Sequence, residues 1–222
     1  MIVCIKEILG LPDRERVRDL LSRGAFVSGK ETAGWASQPV KHNLQLSAQD
    51  PVHPELARLI VERLSGHSVF QSAVLPKSFR PPVFSRYEPG MHYGAHVDDA
   101  IMGTPVARSD VSYTLFLSPP EDYVGGQLVL EDTYGEHSFK LDAGDLVLYP
   151  SKFLHRVEPV EAGIRLAAVS WVQSLCRDPS HREILFDLQQ LREKEFSRHS
   201  KSVEFDLLSK TYSNLLRMFA DP

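Results

Sequence analysis

The chain holds only two cysteines, Cys4 and Cys176, each without a second cysteine at metal-ligand spacing. That excludes a disulfide framework and a cysteine-based zinc site. No apolar run approaches the ~18 residues of a membrane span, no G-x-S-x-G turn of a serine hydrolase occurs, and no internal repeat is visible. Positive charge is not in excess: 25 Lys and Arg stand against 29 Asp and Glu, a formal net charge of −4. A broad nucleic-acid surface is therefore not expected. Gly (13) and Pro (15) stay near average usage among 222 residues, which removes collagen-like and low-complexity readings. Residues 1–7 reach charge too early for a signal-peptide core. These absences set the expectation of one cytoplasmic domain with a small appendage, and of no membrane or nucleic-acid partner.

What is present divides into three regions. Residues 1–77 read as mixed support: a helix over 12–21 with Val17, Leu20 and Leu21 on one face, a strand over 40–46, and a helix over 54–64 carrying Leu56, Leu59, Ile60 and Leu64 at helical spacing. Gly24 and Gly66 are the expected helix stops. Residues 78–175 change to short extended runs, with strands expected at 83–87, 94–97, 112–118, 127–130, 137–141, 145–149, 155–159 and 165–173 and a hairpin connection at 132–136. Such spacing indicates a β-barrel or sandwich. Residues 176–222 return to helical period. Ser180, followed by Glu183, has the form of a capping box; Ile184, Leu185, Leu188 and Leu191 follow on one face. After a polar break at 197–202, Leu208, Tyr212, Leu215 and Phe219 repeat the pattern. Two helices so joined form a hairpin; packing on the barrel is its simpler role, and a homodimer contact the alternative.

Of nine histidines, two stand out by their surroundings. His96-Val97-Asp98 lies in an extended run, and on a strand residues i and i+2 face the same way, so both can reach one ion. Alone, such a triplet is more often a structural His and a turn Asp. His155, after the 145–149 strand and a Pro-Ser turn, supplies a second imidazole. Two His and one carboxylate on one face leave metal positions open and suit Fe(II). Arg165, ten residues on, sits in an otherwise apolar strand. A guanidinium there is costly unless it meets an anion, which it can grip with two parallel hydrogen bonds; an internal salt bridge is the ordinary alternative. Asp99 is expected to face away from Asp98, and His92 to stand at the mouth of the site. Gly125-Gly126 reads as a backbone requirement before a strand.

In this order the elements resemble the iron- and 2-oxoglutarate-dependent oxygenases of the prolyl/lysyl-hydroxylase-like branch, and most closely the bacterial PKHD-type hydroxylases, often associated with iron uptake. The resemblance is carried by Ser85-Arg86-Tyr87-Glu88-Pro89-Gly90-Met91-His92-Tyr93-Gly94-Ala95-His96-Val97-Asp98, by residues 112–118 and 123–128, by Ala143-Gly144-Asp145, by His155-Arg156-Val157, and by Gly163-Ile164-Arg165 through Ser170-Trp171. The helical tail is similar too, but less specific.

The resemblance implies an α+β fold: a double-stranded β-helix, or jelly roll, with N-terminal supporting helices and a C-terminal helical hairpin. It implies an enzyme that uses Fe(2+), 2-oxoglutarate and dioxygen to hydroxylate an unactivated C–H bond of a peptidyl or small-molecule substrate, releasing succinate and CO2, with L-ascorbate (vitamin C) keeping the iron reduced. His96, Asp98 and His155 become the metal and catalytic residues. Arg165 becomes the residue binding the distal carboxylate of 2-oxoglutarate, and Tyr87 and Tyr93 become aromatic neighbours of that cosubstrate. The loop 100–110 lies where it can cover the entrance. The alternatives are a non-catalytic iron/2-oxoglutarate sensor and a cupin-like metalloprotein without 2-oxoglutarate.

Overall fold

A computed structural model describes residues 1–222. Two antiparallel sheets face each other as a jelly roll. The larger has eight strands, in the order Val3–Ile5, Leu146–Pro150, Val111–Phe116, Arg165–Ser174, Val83–Tyr87, Leu44–Leu46 and Phe26–Ser28; Pro76–Phe79 pairs with the far end of Arg165–Ser174. The smaller has five, in the order Gly135–Phe139, Leu128–Asp132, Leu154–Val157, His92–His96 and Lys41–His42. A two-stranded ribbon, Tyr123–Gly125 with Val160–Gly163, closes one end.

Alternation along the strands assigns each side chain to a layer. On the large sheet Tyr113, Leu115, Leu146, Leu148, Ala168 and Val172 point away from the small sheet and pack under the helices. The helix Leu11–Arg23 contributes Val17, Leu20 and Leu21, and His53–Gly66 contributes Leu56, Leu59, Ile60 and Leu64, all buried. A side chain such as Ile60, fully enclosed here, is worth about 1.5–3 kcal/mol of transfer free energy. On the opposite face Tyr87, Phe116, Val147 and Tyr149 meet Leu128, Leu130 and Val157 of the small sheet. The space between the sheets is therefore apolar at one end and free to hold polar side chains at the other.

The C-terminal helices Pro179–His199 and Val203–Phe219 form the expected hairpin. Tyr212, Leu215, Leu216 and Phe219 pack around Leu75, Cys176 and Leu185, against the body of the domain. Arg182 is buried at this junction and donates to the carbonyls of Cys176 (2.7 Å) and Arg177 (2.9 Å). No helix is long and apolar enough to cross a membrane.

Several local expectations are corrected. The expected capping box is absent. Asp178 caps the helix by accepting from the Ser180 amide at 2.7 Å, with Pro179 at the first helical position, and Glu183 pairs instead with the N-terminal ammonium at 3.3 Å. The 40–46 strand is two strands, Lys41–His42 and Leu44–Leu46, in different sheets; the chain passes between the sheets at Asn43. Gly66 lies inside its helix rather than beyond it. The three-residue strands Val3–Ile5 and Phe26–Ser28 and the helix Ser68–Val74 were not expected; each is too short for a periodic signal.

Candidate active site

The cavity between the sheets has a volume of about 400 Å³. At its polar end His96 and His155 lie directly opposite each other on neighbouring strands, with ring centroids 4.2 Å apart. His96 Nδ1 is 2.8 Å from the Gly94 carbonyl and His155 Nδ1 is 3.1 Å from that of Phe153. A carbonyl only accepts, so each Nδ1 carries the proton and each Nε2 presents its lone pair to the cavity. The strand ends at His96, and Asp98 lies two residues beyond it. Asp98 is held by another contact: the Ser112 hydroxyl donates to its Oδ2 at 2.6 Å, and the Ser151 hydroxyl is 2.7 Å from the Ser112 oxygen. Asp98 Oδ1 stands 3.7 Å from His155 Nε2. One ligand atom from each of the three residues lies within 4.8 Å of the others. Burial, and then the neighbouring His155, push His96 down to about 4, so its imidazole is neutral and ready to ligate at neutral pH. This donor set suits a divalent metal of the Fe(II) type and leaves coordination positions open.

Tyr93 and His96 share the cavity face although they are three positions apart. His155 pairs with His96 and Val157 with Tyr93, so two steps on one strand oppose three on the other, a β-bulge. The Tyr93 ring stacks on His96 at 3.7 Å between centroids. Burial raises its hydroxyl to about 12, partly offset by Ser37. The same bulge turns His92 outward, where it meets His42 edge-on at 5.8 Å. His92 is therefore not at the mouth of the cavity, contrary to expectation. Asp99, expected to face away, borders the cavity near Gly34, but is outside the three-residue ligand cluster.

Arg165 opens its strand on the large sheet, paired with Tyr87, and is 1% exposed. Its guanidinium carbon lies 5.1 Å from the Tyr87 ring centre and 5.5 Å from that of Phe116. Nε and Nη2 are buried without a hydrogen-bond partner, and Arg165 forms no ion pair. The ordinary internal salt bridge is thus absent, and a buried cation with two orphaned donors is the physical mark of an anion site. Gly126 makes room for it: at φ +66° an added Cβ would come within 3.0 Å of Arg165 Cδ. The Tyr87 hydroxyl is pushed up by burial, while the charge of Arg165 pulls the other way.

The loop 100–110 is a hairpin of Ile101–Met102 with Ala107–Arg108. Ile101, Met102 and Gly103 border the cavity. Arg80 donates to the carbonyls of Met102 and Pro105, and Arg108 grips Asp110 at 2.6 and 2.9 Å. Sequence reasoning missed Ser112, Tyr149, Lys41 and Asn43, all lining the cavity. Only the alternation Lys41, Asn43, Gln45 carried a readable signal, a polar face on an extended run.

Residues 82–173 match the model of the 2OG-Fe(II) oxygenase superfamily. Over its full length the chain is 50% identical to a PKHD-type hydroxylase of Crocosphaera subtropica, also covered completely. It is 49% identical to one of Rippkaea orientalis, with 98% of each chain covered. Among solved structures, a Trichoplax adhaerens prolyl hydroxylase in complex with a hypoxia inducible factor peptide fragment superposes with a TM-score of 0.59 at 18% identity, covering 78% of this chain and 83% of that one. A Pseudomonas putida prolyl-4-hydroxylase gives 0.51 at 22% identity, covering 78% and 92%. At these identities the structures establish the shared fold.

Proposed function

The chain belongs to the PKHD-type hydroxylases of the 2OG-Fe(II) oxygenase superfamily, and from that premise we propose that His96, Asp98 and His155 hold Fe(II) while Arg165 binds the distal carboxylate of 2-oxoglutarate. The observation that carries this reading is the pairing of a three-donor cluster with a buried, anionless guanidinium in one cavity. Bound iron, with 2-oxoglutarate and dioxygen, supplies the oxidising chemistry that hydroxylates a C–H bond and yields succinate and CO2. The chain's own residues do the rest. The Gly94 and Phe153 carbonyls fix both imidazoles in the ligating tautomer, and Ser112 turns Asp98 so that Oδ1 stays free. Arg165 offers charge-assisted donors, and Tyr87 and Phe116 wall them from water, which strengthens the contact. Tyr93 braces His96 by stacking.

The finer family expectations complete the reading: an organic substrate, peptidyl or small, ascorbate as the reductant that restores the iron, and a link to iron uptake. The reading is tested by anaerobic equilibrium dialysis of the whole chain against Fe(II). One equivalent is expected on the wild type, with none retained by Asp98→Ala combined with His155→Ala. Stoichiometric iron on that variant would remove the ligand assignment.

A further inference from the structure

Residues 41, 43 and 45 alternate toward the cavity across the passage from the small sheet to the large one. Lys41 pairs with Tyr93, Gln45 with Ser85, and all three side chains line the cavity. Lys41 is 5% exposed. Its ammonium donates to Thr32 Oγ1 at 3.1 Å and lies 5.0 Å from the Tyr93 ring centre, on the ring that covers His96. Thr32 in turn donates to Gln45 Oε1, which fixes the ammonium and leaves it two further donors. Lys41 forms no ion pair. Beside it on the strip, Asn43 is buried with both amide atoms unpartnered. A buried ammonium with one neutral partner and a buried amide with none are costly unless a ligand completes them.

Charge accounting says what is missing. Asp98, a divalent metal, dianionic 2-oxoglutarate and Arg165 cancel one another; Asp99 at the rim is solvent-exposed, so the buried ammonium of Lys41 is left without a buried counter-charge. We propose that Lys41 is a specificity-determining residue that binds a carboxylate of the organic substrate on the His96 side of the cavity, with the Asn43 amide as its polar neighbour. This rests on the reading of the cavity as the Fe(II)/2-oxoglutarate site. Arg165 projects from the opposite sheet, and the proposal assigns the two cations to different anions. Burial lowers the Lys41 ammonium to about 8, as befits a cation whose counter-charge arrives with a ligand.

The test uses the whole chain loaded with Mn(II) and 2-oxoglutarate, with hexanoate and its neutral isostere hexanamide as probes. Paramagnetic broadening of the probe's proton signals reports binding near the metal. Wild type should broaden hexanoate more strongly than hexanamide. Lys41→Met should weaken hexanoate binding on the order of tenfold or more, leave hexanamide unaffected, and leave the midpoint for 2-oxoglutarate in place. Lys41→Arg, which keeps the cation, should retain the preference for the carboxylate. Folding is checked by thermal melting of the unliganded variant, which should match or exceed wild type because an unpaired buried charge has been removed. Equal hexanoate binding by wild type and Lys41→Met, or no carboxylate preference in wild type, overturns the proposal. A tenfold weaker 2-oxoglutarate midpoint in Lys41→Met overturns it too, by assigning Lys41 to the cosubstrate. Failure of the wild type to take up Mn(II) and 2-oxoglutarate sinks the underlying site assignment instead, so the two failures are separable.

Discussion

Arg165→Met separates a ligand-binding arginine from a structural one, because the two roles predict opposite signs for stability. Methionine reproduces the apolar stem between Tyr87 and Phe116 but carries neither charge nor donors. In wild type the Nε and Nη2 donors have no protein partner. A hydrogen bond to a charged group is worth about 1.5–3 kcal/mol, so losing two gives at least about 3 kcal/mol, on the order of 100-fold in 2-oxoglutarate affinity. Thermal melting of the Mn(II)-loaded protein, with and without cosubstrate, reads this directly. At a 2-oxoglutarate concentration of about 100 times the wild-type Kd, binding stabilises wild type by about 2.7 kcal/mol. The same concentration is only about one Kd for the variant, worth about 0.4 kcal/mol. For a chain of this length the wild-type melting point should rise roughly 5–10 °C and the variant's about 1 °C. The unliganded variant should be no less stable than wild type, since a desolvated charge without a counter-ion has been removed. A cosubstrate shift equal to that of wild type, or a loss of several kcal/mol without ligand, would refute the reasoning.

Two further perturbations follow from the same geometry. Gly126→Ala places a methyl group 2.9 Å from Val160 Cγ2 and 3.0 Å from Arg165 Cδ, at a positive φ. It should weaken 2-oxoglutarate binding while leaving Mn(II) uptake intact, and an unchanged cosubstrate midpoint would show that Gly126 does not position Arg165. Lys41 gives a pH signature: its folded-state value is about 8 against an ordinary 10.5, so between those values the unfolded chain holds a proton that the native one has released. Stability of the ligand-free protein therefore rises with pH across that window, and the penalty is fully present below about pH 8. Urea denaturation of wild type and Lys41→Met at about pH 7.5 and about pH 10 should show the variant's advantage narrowing at the higher pH; a constant gap would contradict it.

The barrel was legible where strands were long enough to show alternation. In the run from Arg165 to Ser174 alternate residues are buried from Ala168 to Ser174, although Ala167 and Ala168 are buried together; Arg165 stood out instead as a lone cation on an otherwise apolar strand. The helical tail was legible for the same reason at period three and four. His96, Asp98 and His155 do converge, but not through the strand parity that motivated their choice. The strand stops at His96, and Ser112, sixteen residues after His96 and on the other sheet, holds Asp98. Nothing within three residues of a ligand announces such a partner. The bulge that turns Tyr93 inward and His92 outward is equally silent, because an extra residue is defined only by the opposing strand. At the C-terminal helix, Ser180 and Glu183 satisfied a capping pattern, but Pro179 sets the first helical residue and so makes Asp178 the cap.

The two halves of the cavity are prepared differently, and this bears on how ligands act on stability. Each side chain of the candidate metal cluster already has a protein contact that orients it: Gly94 for His96, Phe153 for His155, and Ser112 for Asp98. Contacts of this kind reduce the reorganisation that binding requires. The anion-facing groups lack such support. Arg165 keeps two orphaned donors and Asn43 an unpartnered amide, and the Lys41 ammonium uses one of three. An unsatisfied buried polar group costs about 1–3 kcal/mol, so the free protein carries its strain on the anion side. It follows that anionic ligands should protect the fold more than their few contacts alone imply, because each contact also relieves a desolvated group that has no protein partner.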